Sequence, residues 1–202
     1  TITLTTNPAG TITLDDSTIT AAGGLGDGTG TQGAGANITF ANPVALTTGA
    51  AAISTGATGG NIAFQNTVNG AQDLTLTAGT GNVTLGGIAG SSATSANRLA
   101  SLTVDSASAA SLNDVFTTGA QAVTADAITL TGTTYATDAT TNSTITLTGP
   151  VTIEQNTAMT ASSVAFTGTL DSDDDGATPA VSEARTLGIT GDATFGGAVG
   201  DS

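Results

Sequence analysis

Three aspartates at alternating positions form the segment of this chain best suited to chemistry. Asp171, Asp173 and Asp175 stand at positions 1, 3 and 5 of an acidic stretch, with a glycine at position 6. Carboxylates at this spacing can converge on one Ca²⁺, and the glycine permits the sharp turn of a calcium loop. The pattern departs from such a loop at position 12, where a serine stands and Glu183 follows one residue later. Two interpretations remain open: a calcium site with these three ligands, or an acidic turn exposed to solvent.

The sequence contains few of the side chains that enzymes commonly use for catalysis. The chain has no histidine and no cysteine, which excludes the common general base, the thiol nucleophile and zinc tetrads. A carboxylate pair for glycoside hydrolysis would have to come from Asp105, Asp114, Asp126 or Asp138, and no spacing selects a pair. We therefore expect no enzyme. A β-helical carbohydrate-binding or carbohydrate-cleaving module stays as the alternative function.

The charge balance restricts the partners. The 202 residues carry a formal net charge of −14, with no lysine and only two basic residues, Arg98 and Arg185. Such a chain cannot neutralise phosphates, so we expect no nucleic-acid partner, and anionic membrane surfaces are disfavoured for the same reason. No stretch has the length and composition of a membrane-spanning segment, so no membrane insertion is expected. Divalent cations would counteract the repulsion between acidic copies.

The elements that must position these groups are short strands that recur without helices between them. Asn37-Ile-Thr-Phe40 is followed by Asn61-Ile-Ala-Phe64, by Asn82-Val-Thr-Leu85 and by later units, at spacings of 17 to 26 residues. Each unit alternates apolar and polar residues, and a period near twenty residues indicates a solenoid. The sequence predicts an all-β right-handed parallel β-helix, a β-solenoid of about nine rungs. We expect one segment over residues 1–202, with irregular loops near 21–36 and 171–183.

Two polar patterns accompany the strands. Thr-x-Thr pairs such as Thr75 and Thr77 place two hydroxyls on one face of a strand, an arrangement that binds ice when it is stacked on a flat solenoid face. The irregular spacing between units argues against a flat plane, so we interpret these threonines as solvent-facing strand residues. The three Asn-x-Ser/Thr sequences, at Asn37, Asn82 and Asn142, are glycosylation acceptors or corner residues, and we favour corners.

The sequence also contains a second, longer repeat in addition to the short strand units. Residues 80–92 and 190–202 are identical at seven of thirteen positions. The chain begins inside a strand pattern at Thr1-Ile-Thr-Leu-Thr5 and ends inside the second copy of this repeat. We therefore expect self-association with another subunit, or continuation of a longer chain.

Residues 59–85, Gly-Gly-Asn-Ile-Ala-Phe through Gly-Asn-Val-Thr-Leu, resemble the repeat regions of filamentous-haemagglutinin-type large bacterial exoproteins. The resemblance extends over most of residues 37–202. It implies a secreted right-handed β-helix that is extracellular or displayed on the cell surface as a stalk, adhesin or matrix fibre. A host or matrix surface is then the expected ligand. Calcium is the candidate cofactor on the motif of Asp171, Asp173 and Asp175 alone, with the acidic turn as the alternative.

Overall fold

The computed structural model describes residues 1–6, 10–23, 35–92, 94–138, 142–172 and 185–200. These residues contain no α-helix. The strands in chain order are β1 (Ile2–Leu4), β2 (Ile12–Leu14), β3 (Thr18–Thr20), β4 (Ile38–Phe40), β5 (Val44–Leu46), β6 (Ala51–Ser54), β7 (Ile62–Phe64), β8 (Val68–Asn69), β9 (Asp73–Thr77), β10 (Asn82–Leu85), β11 (Ser101–Ser106), β12 (Ala109–Leu112), β13 (Val115–Phe116), β14 (Gln121–Thr124), β15 (Ala127–Leu130), β16 (Thr134–Ala136), β17 (Thr144–Thr148), β18 (Val151–Ile153), β19 (Thr157–Phe166), β20 (Leu170–Ser172) and β21 (Leu187–Phe195). A single 3-10 turn covers Ser95–Asn97 within the described part.

The strands form three parallel faces that the chain visits in turn. Face A stacks β1, β4, β7, β10, β12, β15, β18 and β20. Face B stacks β2, β5 and β8, and continues through the bridges of Ala89 to β13 and β16. Face C stacks β3, β6, β9, β11, β14 and β17. The long strands β19 and β21 cross from face B to face C.

The predicted parallel β-helix is confirmed. The described residues make eight coils, and Val199 bridges Leu170 as the first residue of a ninth position on face A. At ~4.8 Å between neighbouring strands, eight coils give a rod roughly 38 Å long.

Alternation along each strand produces the core. In β4, Ile38 and Phe40 are fully buried and Thr39 between them points outward. The inward residues of all three faces form one apolar column, in which the rings of Phe40 and Phe64 stack at 4.3 Å between centroids. An interior this narrow is filled by branched aliphatic side chains, which explains why so few aromatic residues suffice.

The irregular spacing of the sequence units arises from corners of different length between the strands. Seven residues separate β6 from β7, whereas two separate β17 from β18, yet both connections make the same turn from face C to face A. At the shorter one, Gly149 has φ +132° and an added Cβ would lie 2.0 Å from the carbonyl oxygen of Ala125. Only glycine fits this close approach. The strand register is therefore regular although the sequence period is not.

The longer repeat is a local corner motif and not a repeat of whole coils. Gly86 and Gly196 each donate their N–H to the carbonyl of a phenylalanine in the preceding coil, at 2.8 and 2.7 Å. Ala89 and Val199 each follow as an isolated bridge residue. The two copies occupy different faces, because β10 lies on face A and the matching end of β21 lies on face C. The same turn is thus used at two different corners.

Candidate functional surface

Asp171, the first of the three predicted calcium ligands, lies in a strand. It belongs to β20, where it is half-buried and pairs in register with Thr152 on face A. Its Oδ1 accepts the N–H of Ser172 at 2.9 Å. Asp171 therefore lies in a strand and not in the predicted irregular loop near 171–183, because the ladder of face A continues through this residue.

Asp173 and Asp175 lie outside the described residues, as does most of the predicted loop near 21–36. No cluster of three metal-ligating side chains occurs in the part of the chain that is described. The calcium site therefore stays a prediction.

The four aspartates considered as a carboxylate pair do not share a corner. Asp105 lies in β11 on face C, and Asp126 follows β14 at the corner between faces C and A. Asp114 lies between faces A and B, where its Oδ1 accepts the N–H groups of Thr133 and Thr134 at 2.6 and 2.8 Å. Asp138 follows β16, at the corner between faces B and C. Asp114 thus has a structural role, since it ties one corner to the next coil.

Tyr135, the chain's single tyrosine, is inside the core. It is 2% exposed, its hydroxyl donates to the carbonyl of Leu112 at 2.7 Å, and it accepts the N–H of Gly132 at 3.1 Å. Burial raises the pKa of this hydroxyl above its ordinary value. A ring in this position cannot stack on a sugar.

Asparagines form a ladder along one corner that sequence reasoning missed. The N–H of Asn61 donates to Oδ1 of Asn37 at 2.8 Å, and the N–H of Asn82 donates to Oδ1 of Asn61 at 2.9 Å. Corner positions were predicted for Asn37 and Asn82 because asparagine tolerates positive φ, but neither adopts it. Asn142 does, with φ +55° in an exposed turn. The sequence does contain a pattern that indicates the ladder, because all three repeat units begin with asparagine.

The segment between Ala89 and β11 contains the 3-10 turn and carries one of the two arginines. Arg98 then lies over the ring of Phe116 at 5.9 Å from its centroid, and its Nη1 donates to the carbonyl of Thr117 at 3.2 Å. The guanidinium covers an outward-facing aromatic ring, so this cation is used within the fold.

An open groove runs along the corner between faces C and A. Its volume is about 440 Å³, and its floor consists of small residues such as Ala107 and Ala125. Thr124, Asp126 and Thr148 stand along it. The groove is shallow and polar at its edges, and it brings together no set of groups that activate a nucleophile.

Rows of small outward residues cover the long faces. On face A the central outward column is Thr3, Thr39, Ala63, Thr84, Ser111, Thr129, Thr152 and Asp171. On face C it is Thr18, Ala52, Thr75, Thr103, Ala122, Thr146, Ala165 and Thr194. These long faces offer an extended surface in place of a deep pocket.

Comparison with known proteins identifies no relative: no family model, no curated protein and no solved structure matches this chain. No helix among the described residues is long and apolar enough to cross a membrane.

Proposed function

We propose that this chain is a structural segment of an extracellular bacterial surface fibre or adhesin stalk, which acts through its elongated surface and through self-association. The observation that carries the proposal is the uninterrupted stack of coils. Among the described residues, each strand pairs only with strands of the coils before and after it, so the rod extends along one axis. The resemblance of residues 59–85 to exoprotein repeats supports a secreted, cell-surface location.

Self-association is proposed to occur end to end. Exposed large apolar side chains in the described stack include Ile2 in the first coil, 38% exposed, and Phe195 and Val199 at the opposite end, 43% and 59% exposed. Among the described strands, β1 pairs with β4 alone, so its other edge has no partner among them. A strand edge without a partner pairs readily with another chain, and such β-augmentation would add β1 of one copy to the last coil of the next. The net charge of −14 opposes contact, so assembly should depend on salt or divalent cations.

Two isoleucines of equal exposure allow a matched test. Ile2 and Ile88 are both 38% exposed, but Ile2 lies at the end of the rod and Ile88 lies on its side, at a corner. Ile2→Asp adds a charge at the proposed contact, and Ile88→Asp adds the same charge elsewhere. Mass measured by light scattering, with and without calcium, should fall to that of single copies for Ile2→Asp and for a deletion of residues 1–5. Ile88→Asp should assemble like the original chain.

Assembly that survives both Ile2→Asp and the deletion would rule out β1 as the contact. A single-copy mass for the original chain under all conditions would rule out self-association altogether.

A further inference from the structure

Of the three Asn-x-Ser/Thr sequences in the chain, the one at Asn142 differs from the others in its surroundings. Asn37 and Asn82 lie at the start of strand units, and each is followed by a fully buried residue, Ile38 or Val83. Asn82 itself belongs to β10, which is paired on both edges. Asn142 lies outside the strands, in an exposed turn with φ +55°. It therefore stands at a corner of the rod and not within a sheet.

The two residues after Asn142 hold this turn in place. The Oγ of Ser143 donates to the carbonyl of Thr118 at 2.9 Å, and Ser143 is only 6% exposed. Thr144 begins β17, pairs in register with Ser163 and is half-buried. The backbone is thus anchored directly after Asn142, and the hydroxyl two residues further on has a fixed position.

An open groove at the corner between faces B and C provides space beside Asn142. Its volume is about 450 Å³, and Asn142, Ser143 and Thr144 line it together with small residues such as Ala100 and Gly119. A groove of this size lies in the range that holds a small ligand. The residues described along it carry no charge. A sugar ring, which is neutral and rich in hydroxyl groups, fits such a surface.

We propose that Asn142 is an acceptor for N-linked glycosylation. In this reaction Nδ2 of the asparagine bonds to C1 of a sugar, and the bond between C1 and a phosphate oxygen of the sugar's diphosphate group breaks. The nitrogen gives one proton to a base of the transferase, and the diphosphate leaves with the bonding electrons. The partner is therefore a glycosyltransferase that uses a diphosphate-activated sugar and binds the hydroxyl of Thr144. This modification adds to the fibre function and does not depend on self-association.

The other two sequences present less accessible acceptors. In the asparagine ladder, Oδ1 of Asn37 accepts the N–H of Asn61, which fixes this side-chain amide against the next coil. Asn82 points outward from a strand that is paired on both edges, so its backbone cannot bend into an enzyme. The competing interpretation of Asn142 is that asparagine is present only because it tolerates a positive φ. That interpretation predicts no attached sugar.

The two arginines allow a direct test by mass spectrometry. Trypsin cleaves after arginine, so complete digestion of the denatured chain after Arg98 and Arg185 separates residues 99–185 from residues 1–98. Residues 99–185 contain Asn142 in their one Asn-x-Ser/Thr sequence, and residues 1–98 contain Asn37 and Asn82. In the chain recovered from the cells that make it, residues 99–185 should exceed their sequence mass by one or more sugar units. Residues 1–98 should have their sequence mass.

Two substitutions of Thr144 form a matched pair. Thr144→Ala removes the hydroxyl and should abolish the added mass, whereas Thr144→Ser keeps the hydroxyl and should retain it. Asn142→Gln should also abolish it. Circular dichroism should be the same for all variants, which separates loss of the acceptor from loss of fold. An unmodified mass for residues 99–185, an addition that survives Asn142→Gln, or an equal addition to residues 1–98 would overturn the proposal.

Discussion

Alkaline pH should destabilise this protein through one buried side chain, Tyr135. The chain contains one tyrosine and neither lysine nor cysteine, so in the unfolded chain Tyr135 is the only side chain expected to titrate between about pH 9 and 11. Burial is the main cause that raises the pKa of its hydroxyl, and the nearby carboxylates of Asp114 and Glu154 add to it. The hydrogen bond from Gly132 acts in the opposite direction and is outweighed.

The sign of the effect follows from which state binds the proton. Above about pH 10 the tyrosine of the unfolded chain loses its proton, whereas the folded chain keeps it. The unfolded state then binds fewer protons, so the free energy of unfolding falls as pH rises, by about 1.4 kcal/mol per pH unit. The loss continues until the raised pKa of the folded state is reached.

Ultraviolet absorbance gives a direct assay, because the chain has no tryptophan and the phenolate signal comes from Tyr135 alone. Phenolate should appear only together with unfolding, and denaturant midpoints should fall above about pH 10. Tyr135→Phe is the control and should lose this pH dependence. Its stability near neutral pH should fall by about 1–3 kcal/mol, since Gly132 N–H loses its acceptor while the carbonyl of Leu112 keeps the N–H of Thr131.

A phenolate midpoint near pH 10 in protein that is still folded would refute the placement of Tyr135 in the core. An alkaline transition that persists in Tyr135→Phe would refute its assignment to this residue.

Three further predictions concern the buried apolar column, the asparagine ladder and the predicted calcium site. Phe64→Ala should lower the free energy of unfolding by about 3–5 kcal/mol, because the ring is buried in a stacked pair. Phe195→Ala should cost far less in the same denaturant assay, since that ring is 43% exposed, and equal costs would contradict the burial pattern. Asn61→Ala should cost about 1 kcal/mol through the lost acceptor for the N–H of Asn82, and an unchanged denaturant midpoint would show that the ladder adds nothing. Calorimetry should detect weak calcium binding that Asp173→Ala abolishes, and identical titrations would leave the acidic-turn interpretation.

The fold could be predicted because the alternation of apolar and polar residues in each strand unit indicates which side chains are buried. Triplets such as Ile38-Thr-Phe40 alternate inward and outward, and their recurrence without helices leaves stacking as the way to bury the apolar face. The number of residues in each coil does not predict how the strands align, because the length of the corners varies while backbone pairing keeps neighbouring strands in register. The number of residues between Thr129 and Thr152 differs from that between Thr39 and Ala63, yet both pairs are direct neighbours on face A.

The candidate sites were harder to predict, since they depend on which corner or face a residue reaches. Asp171 matched a loop motif, but the ladder of face A continues through it. Tyr135 is the chain's single tyrosine, and its buried position in β16 could not be deduced from residue type alone. The asparagine ladder required recognising that Asn37, Asn61 and Asn82 align in three dimensions as they do in sequence.

Electron microscopy of the purified chain, with and without calcium, tests the proposed role most directly. The account predicts thin unbranched rods that lengthen into filaments when calcium or salt screens the acidic charge, with an axial repeat of ~4.8 Å between coils. Particles that keep the length of one rod, roughly 38 Å for eight coils, under every condition would contradict self-association and with it the proposed fibre.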